Sequence, residues 1–181
     1  MVTLIGSIEK AMKRKCSVLI VLIFAVLSLN AQHEILTDRN GKKMLKGMVS
    51  RSDLSEDSAF TAWYHRNLQG YMPDSLAIEA LRKNKDLEFI VFMGTWCPDS
   101  QFIIPKFFRL LQEAEFPEEQ VTMLATDRYK KTSARWAEAF AIRYVPTIIV
   151  MVNGKEAGRV VEYGASGKFD RDLAQLIASL N

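Results

Sequence analysis

The apolar positions of this chain fall into short, separable runs. Phe89-Ile90-Val91-Phe92-Met93 is apolar without alternation, the pattern of a central strand covered on both sides. Val121-Thr122-Met123-Leu124-Ala125 predicts a second strand. Ile148 to Val152, the turn Asn153-Gly154 and Arg159-Val160-Val161 predict a hairpin. Helical spacing fills the intervals. Leu76, Ala77, Ala80 and Leu81 follow a cap at Asp74 or Ser75 and predict a helix to about Lys83. Ile103, Phe107, Leu110 or Leu111, and Ala114 predict a helix beginning near Pro98. Pro105 lies inside it, where a missing backbone donor kinks a helix. Ser133 is expected to cap a helix carrying Trp136 and Phe140. A last helix from about Gly167 aligns Phe169, Leu173, Leu176, Ile177 and Leu180. This order predicts an α/β fold, a mixed central sheet with helices on both faces, over residues 74–181.

The segment 32–73 reads as an accessory. Asn40-Gly41 separates Ile35-Leu36-Thr37 from the run Met44 to Val49 and suggests a small hairpin. Ser50 to Ser58 is a loop by composition. Phe60, Trp63, Tyr64 and Tyr71 are expected to pack the accessory onto the core. Ahead of it, Met12-Lys13-Arg14-Lys15 is a basic cluster, Ser17 to Leu29 is almost wholly apolar, and Leu29-Asn30-Ala31 offers a small residue for cleavage. Residues 1–31 are therefore expected to contain a secretory signal, with Met12 as the true start. The apolar run is short of the about twenty residues a spanning helix needs. Only a retained signal anchor would put this protein on a membrane. Cys16 precedes the apolar run, the wrong end for lipid attachment.

Removing 1–31 changes the charge balance. The full chain of 181 residues has 24 basic and 21 acidic residues, a formal charge of +3. The first 31 hold Lys10, Lys13, Arg14 and Lys15 against Glu9, leaving 20 of each sign. A neutral chain makes no electrostatic case for nucleic acid. Cys97 is the one cysteine left, so no internal disulfide forms and the thiol is reactive, paired with another chain, or buried and inert. One thiol with His33 and His65 far apart closes no metal site, and nothing in the chain asks for a cofactor.

Cys97 lies where the first strand hands over to a helix, in Gly94-Thr95-Trp96-Cys97-Pro98-Asp99-Ser100. A cysteine there is expected to expose its sulfur at the positive end of a helix dipole, which favours the attacking thiolate. The motif resembles the thioredoxin active site, in which Trp-Cys-x-x-Cys occupies this junction. Here the second cysteine is Ser100. Pro105, eight residues past Cys97, stands where thioredoxins have their helix-kinking proline. Ala141-Ile142-Arg143-Tyr144-Val145-Pro146-Thr147 resembles the family's cis-proline segment. The wording of the motif and the leading segment look like secreted thioredoxin-like proteins of Bacteroidetes-type bacteria.

The resemblance implies a cis bond before Pro146, with Val145 opposite the sulfur and its backbone open to an extended substrate segment. It implies that Trp96, Pro98, Val145 and Pro146 form the contact surface and that Cys97 is catalytic. Familiar thioredoxins also carry a buried carboxylate in the strand before the motif, and residues 89–93 contain none. Ser100 could donate a hydrogen bond to the Cys97 thiolate, whereas Asp99 disfavours that charge. The implied activity is monothiol thiol–disulfide exchange, isomerase- or reductase-like, in the periplasm, on a cysteine-containing protein or small thiol with an external thiol reductant. A peptide-binding or chaperone-like module without turnover is the alternative, and a sulfenic-acid sensor a third.

Overall fold

The computed structural model describes residues 33–180; the expected signal at 1–31 lies outside them. Six strands form one sheet: β1 (Glu34–Thr37), β2 (Lys43–Val49), β3 (Glu88–Met93), β4 (Val121–Ala125), β5 (Thr147–Val152) and β6 (Lys155–Val161), in the order β1-β2-β4-β3-β5-β6. β3 runs parallel to β4 and antiparallel to β5, so it has a neighbour on each side. The sheet is mixed, as the order of sequence runs implies. Asn153 and Gly154 both take positive φ in the β5–β6 turn, the conformation a tight hairpin of right-handed twist needs.

Side-chain alternation divides the core into two layers. Phe89, Val91 and Met93 of β3 face one layer with Met123, Ala125, Ile148 and Val150. Phe92 faces the other with Leu124, Ile149 and Met151. The first layer is roofed by helices α1 (Arg51–Ser55), α2 (Thr61–Leu68), α3 (Ser75–Lys83), α4 (Pro98–Glu113) and α6 (Phe169–Ala178). Within it α2 packs on α4 and α3 on α6. The second, smaller layer lies under the short helix α5 (Trp136–Ala139) and the chain leading to β5.

Local chemistry explains most boundaries. Asp74 caps α3 by accepting the Leu76 N–H at 2.9 Å. Residues 50–58, expected to be a loop, contain α1. Ser50 and Asp53 form a reciprocal capping box, and Leu54 is fully buried. One turn is too short for periodicity to reveal it. The Ser133 cap is a correction. Its hydroxyl donates instead to Glu34 Oε1 at 2.7 Å, and α5 begins after Arg135, with Thr132 Oγ1 accepting the Ala137 N–H at 3.2 Å. Leu76, assigned to the buried stripe of α3, is exposed; Ala77 and Leu81 carry that contact.

The leading segment is structurally part of the sheet. β1 and β2 form the expected hairpin, and β2 then pairs with β4 through Gly47–Ala125, Met48–Leu124 and Val49–Met123. Leu45, Leu54, Phe60 and Tyr64 enter the same core cluster as Phe107 and Leu173. Leu54→Ala should therefore cost about 2–5 kcal/mol in denaturant unfolding, the range for a buried leucine in a packed core. A loss under about 1 kcal/mol would mean that α1 folds apart from that core.

Candidate active site

The chain turns sharply between β3 and α4, and side chains on both sides hold the turn. The Cys97 N–H donates to Gly94 O at 2.9 Å. The buried Thr95 hydroxyl accepts the Leu45 N–H at 3.2 Å, while Thr95 O accepts from Gln101 Nε2 at 2.8 Å. The Trp96 indole N–H donates to Thr126 O at 2.9 Å, and the ring lies across Gly94. A Cβ at residue 94 would stand 2.8 Å from that ring, so any larger residue must push the indole aside. The Arg128 guanidinium sits 5.4 Å from the Trp96 ring and pairs with Asp38 at 2.7 Å.

Cys97 is the N-cap residue of α4, with Pro98 at the first helical position, where its missing N–H costs nothing. The thiol donates to the Val145 carbonyl at 3.2 Å. The Val145–Pro146 peptide is cis, and Pro146 O accepts the Glu162 N–H at 2.7 Å, fixing this segment to the end of β6. The sequence therefore brought Trp96, Cys97, Pro98, Val145 and Pro146 to one place.

Three expectations change. The sulfur is not openly exposed: Cys97 keeps 8 % of its surface, packed with Phe92, Val145 and Ile149. A cap position sets the backbone, but here the Val145 segment covers the side chain. Val145 itself is buried, and its carbonyl accepts from the thiol. Ser100, offered as a donor to the sulfur, is fully buried, and its hydroxyl accepts the Gly94 N–H at 3.1 Å. One turn into α4, its side chain points back beneath the loop.

Asp99 has a partner that the sequence did not suggest. Tyr163, just beyond β6, donates its hydroxyl to Asp99 Oδ1 at 2.9 Å. Burial, and then the bond to Asp99, raise the Tyr163 phenol above its ordinary value. Phe102 meets the Tyr163 ring at 5.7 Å and is partly exposed, whereas Ile103 and Ile104 are core residues. No local pattern marks Tyr163; the pairing of β6 with β5 and the Glu162 N–H bond to Pro146 O bring it to the site.

Two measurements check this geometry. Gly94→Ala should displace the indole and cost about 1–3 kcal/mol, with a shift in Trp96 emission read against a Trp96→Phe reference. Unchanged stability and emission would contradict the close approach. Asp99→Asn should lower the Tyr163 midpoint toward the ordinary value of about 10 in absorbance titration, read as the difference from Tyr163→Phe. Because the folded phenol holds its proton more tightly than the unfolded chain, this site's contribution is present below about pH 10 and fades as pH rises through the folded midpoint.

Comparison with known proteins identifies a family. The family model described as Thioredoxin matches residues 77–178. A thioredoxin of Echinococcus granulosus is 32% identical over 102 residues, covering 56% of this chain and 88% of that protein. Among solved structures, mitochondrial thioredoxin 3 of Saccharomyces cerevisiae is 21% identical, covers 55% of this chain and 83% of its own, and superposes with a TM-score of 0.38. Fasciola hepatica thioredoxin is 21% identical over 54% of this chain and 88% of its own, with a TM-score of 0.38. With the family model spanning the strand, motif, proline segment and last helix together, the chain belongs to the thioredoxin family.

Proposed function

We propose that this protein carries out monothiol thiol–disulfide exchange through Cys97. The observation that supports this reading most is the pairing of a family-type thiol, bonded to Val145 O at 3.2 Å, with serine where a resolving cysteine would stand. The thiolate attacks one sulfur of a client disulfide, forming a mixed disulfide and releasing the other sulfur as thiolate. A second thiolate, from the client or a small external thiol, then attacks the client sulfur of that bond. Cys97 leaves as thiolate. With a client thiol the outcome is isomerisation; with two external thiols, reduction. The cycle needs no cofactor. Ser100 acts by fixing the Gly94 turn, and Trp96, Pro98, Val145 and Pro146 border the approach to the sulfur.

The expected signal at residues 12–31 extends the proposal to location: export across the inner membrane and work in the periplasm, on cysteine-containing clients. A second reading is favoured by one observation, the packing of Cys97 among Phe92, Val145 and Ile149. A sulfur so covered suits a module that binds polypeptide without turnover.

A scrambled disulfide substrate separates the two. Exchange predicts that the protein accelerates reshuffling and that Cys97 alkylation or Cys97→Ala abolishes the acceleration. If Cys97→Ala protein suppresses client aggregation as well as wild type, and wild type shows no exchange, the binding module replaces the proposal.

A further inference from the structure

The neutral balance of residues 32–181 conceals a local excess. Residues 128–143 contain Arg128, Lys130, Lys131, Arg135 and Arg143 against the single acid Glu138. Its two ends lie near the motif: Arg128 stands 5.4 Å from the Trp96 ring, and Arg143 is two residues before Val145, which holds the thiol.

The acids nearest the loop are already engaged, Glu34 among them, whose Oε1 accepts the Ser133 hydroxyl at 2.7 Å. Asp127 Oδ1 accepts the N–H groups of Tyr129 and Lys131 at 2.9 and 3.0 Å, and Oδ2 pairs with Lys46 at 3.1 Å. Asp38 holds Arg128. Among the described residues, Lys130, Lys131, Arg135 and Arg143 form no ion pair with a carboxylate. Lys130, Lys131 and Arg143 border a cavity of 240 Å³ together with Tyr129, and Glu138 is the one carboxylate on it. Two aromatic rings stand beside these cations, Tyr129 at 78 % and Tyr144 at 56 % exposure. Lys130 and Lys131 stand on a braced loop: the Asp127 hydrogen bonds and the Lys46 pair fix the backbone from Asp127 to Lys131.

We propose that this basic rim is a docking surface for acidic stretches of polypeptide, held next to the sulfur of the same client. Cations gathered around a cavity attract carboxylates, and the flanking phenols cover the apolar parts of a bound segment. The choice of polypeptide over other polyanions rests on the exchange reading, because a reacting partner must bring sulfur to Cys97. The docking itself is a binding property and stands apart from turnover.

The test uses two labelled peptides in which serine replaces the central cysteine, one flanked by glutamates and one by lysines, with binding read by fluorescence anisotropy. The acidic peptide should bind about tenfold more tightly at low ionic strength, as two or three exposed ion pairs supply. That advantage should shrink in 0.5 M salt as screening shortens the reach of each charge. Lys130→Gln/Lys131→Gln/Arg143→Gln should lose the preference with its unfolding transition unchanged. Lys83→Gln/Arg109→Gln/Lys155→Gln, an equal charge change elsewhere, should keep it. Equal affinity for the two peptides, equal loss in both triple variants, or an oligonucleotide of matched charge binding as tightly as the acidic peptide would overturn the proposal. Since neither peptide can exchange disulfides, failure here is distinct from failure of the scrambled-substrate assay.

Discussion

The bond from the Cys97 thiol to the Val145 carbonyl joins two parts of the chain 48 residues apart. One is the end of a central strand, the other the entry to a neighbouring antiparallel strand. Their meeting requires β3 and β5 to pair in one register, Phe92 opposite Thr147. A slip of β5 by one residue would turn Ile149 and Met151 away from Phe92, out of the smaller core layer, and carry the carbonyl away from the sulfur. The site is thus a product of sheet register. The motif residues supply the chemistry, and pairing between strands supplies the distance.

A second constraint acts from beneath. The turn from Gly94 to Ser100 has little room, because the Trp96 ring occupies the space over Gly94 while the Ser100 hydroxyl holds the Gly94 N–H from below. Serine at this position fills a structural role that needs only a small acceptor.

What the sequence made legible was whatever short-range pattern controls. The unbroken apolar run of β3, the Asn153-Gly154 turn and the Asp74 cap each carry their cause within a few residues. Cys97, Val145 and Pro146 were legible as a group only through family resemblance, since no spacing rule relates residues that far apart. Features set by distant partners stayed hidden. Ser133 has the right chemistry for a cap, but Glu34 competes for it. The burial of Cys97 depends on which segment crosses above it, and the Tyr163–Asp99 bond on where a hairpin ends. Counting charges along the chain gave neutrality and missed the clustering of basic groups on one face.

The β2 contacts give the leading segment a further meaning. Residues 33–73 lie before the matched domain, yet β2 covers the flank of β4, and the Leu45 N–H reaches the Thr95 hydroxyl inside the redox turn. A fragment trimmed to the family boundaries would bare a row of unpaired backbone groups along β4, an invitation to intermolecular strand pairing. It would also loosen the loop bearing the thiol. The sheet of this protein is completed by strands that precede residues 77–178.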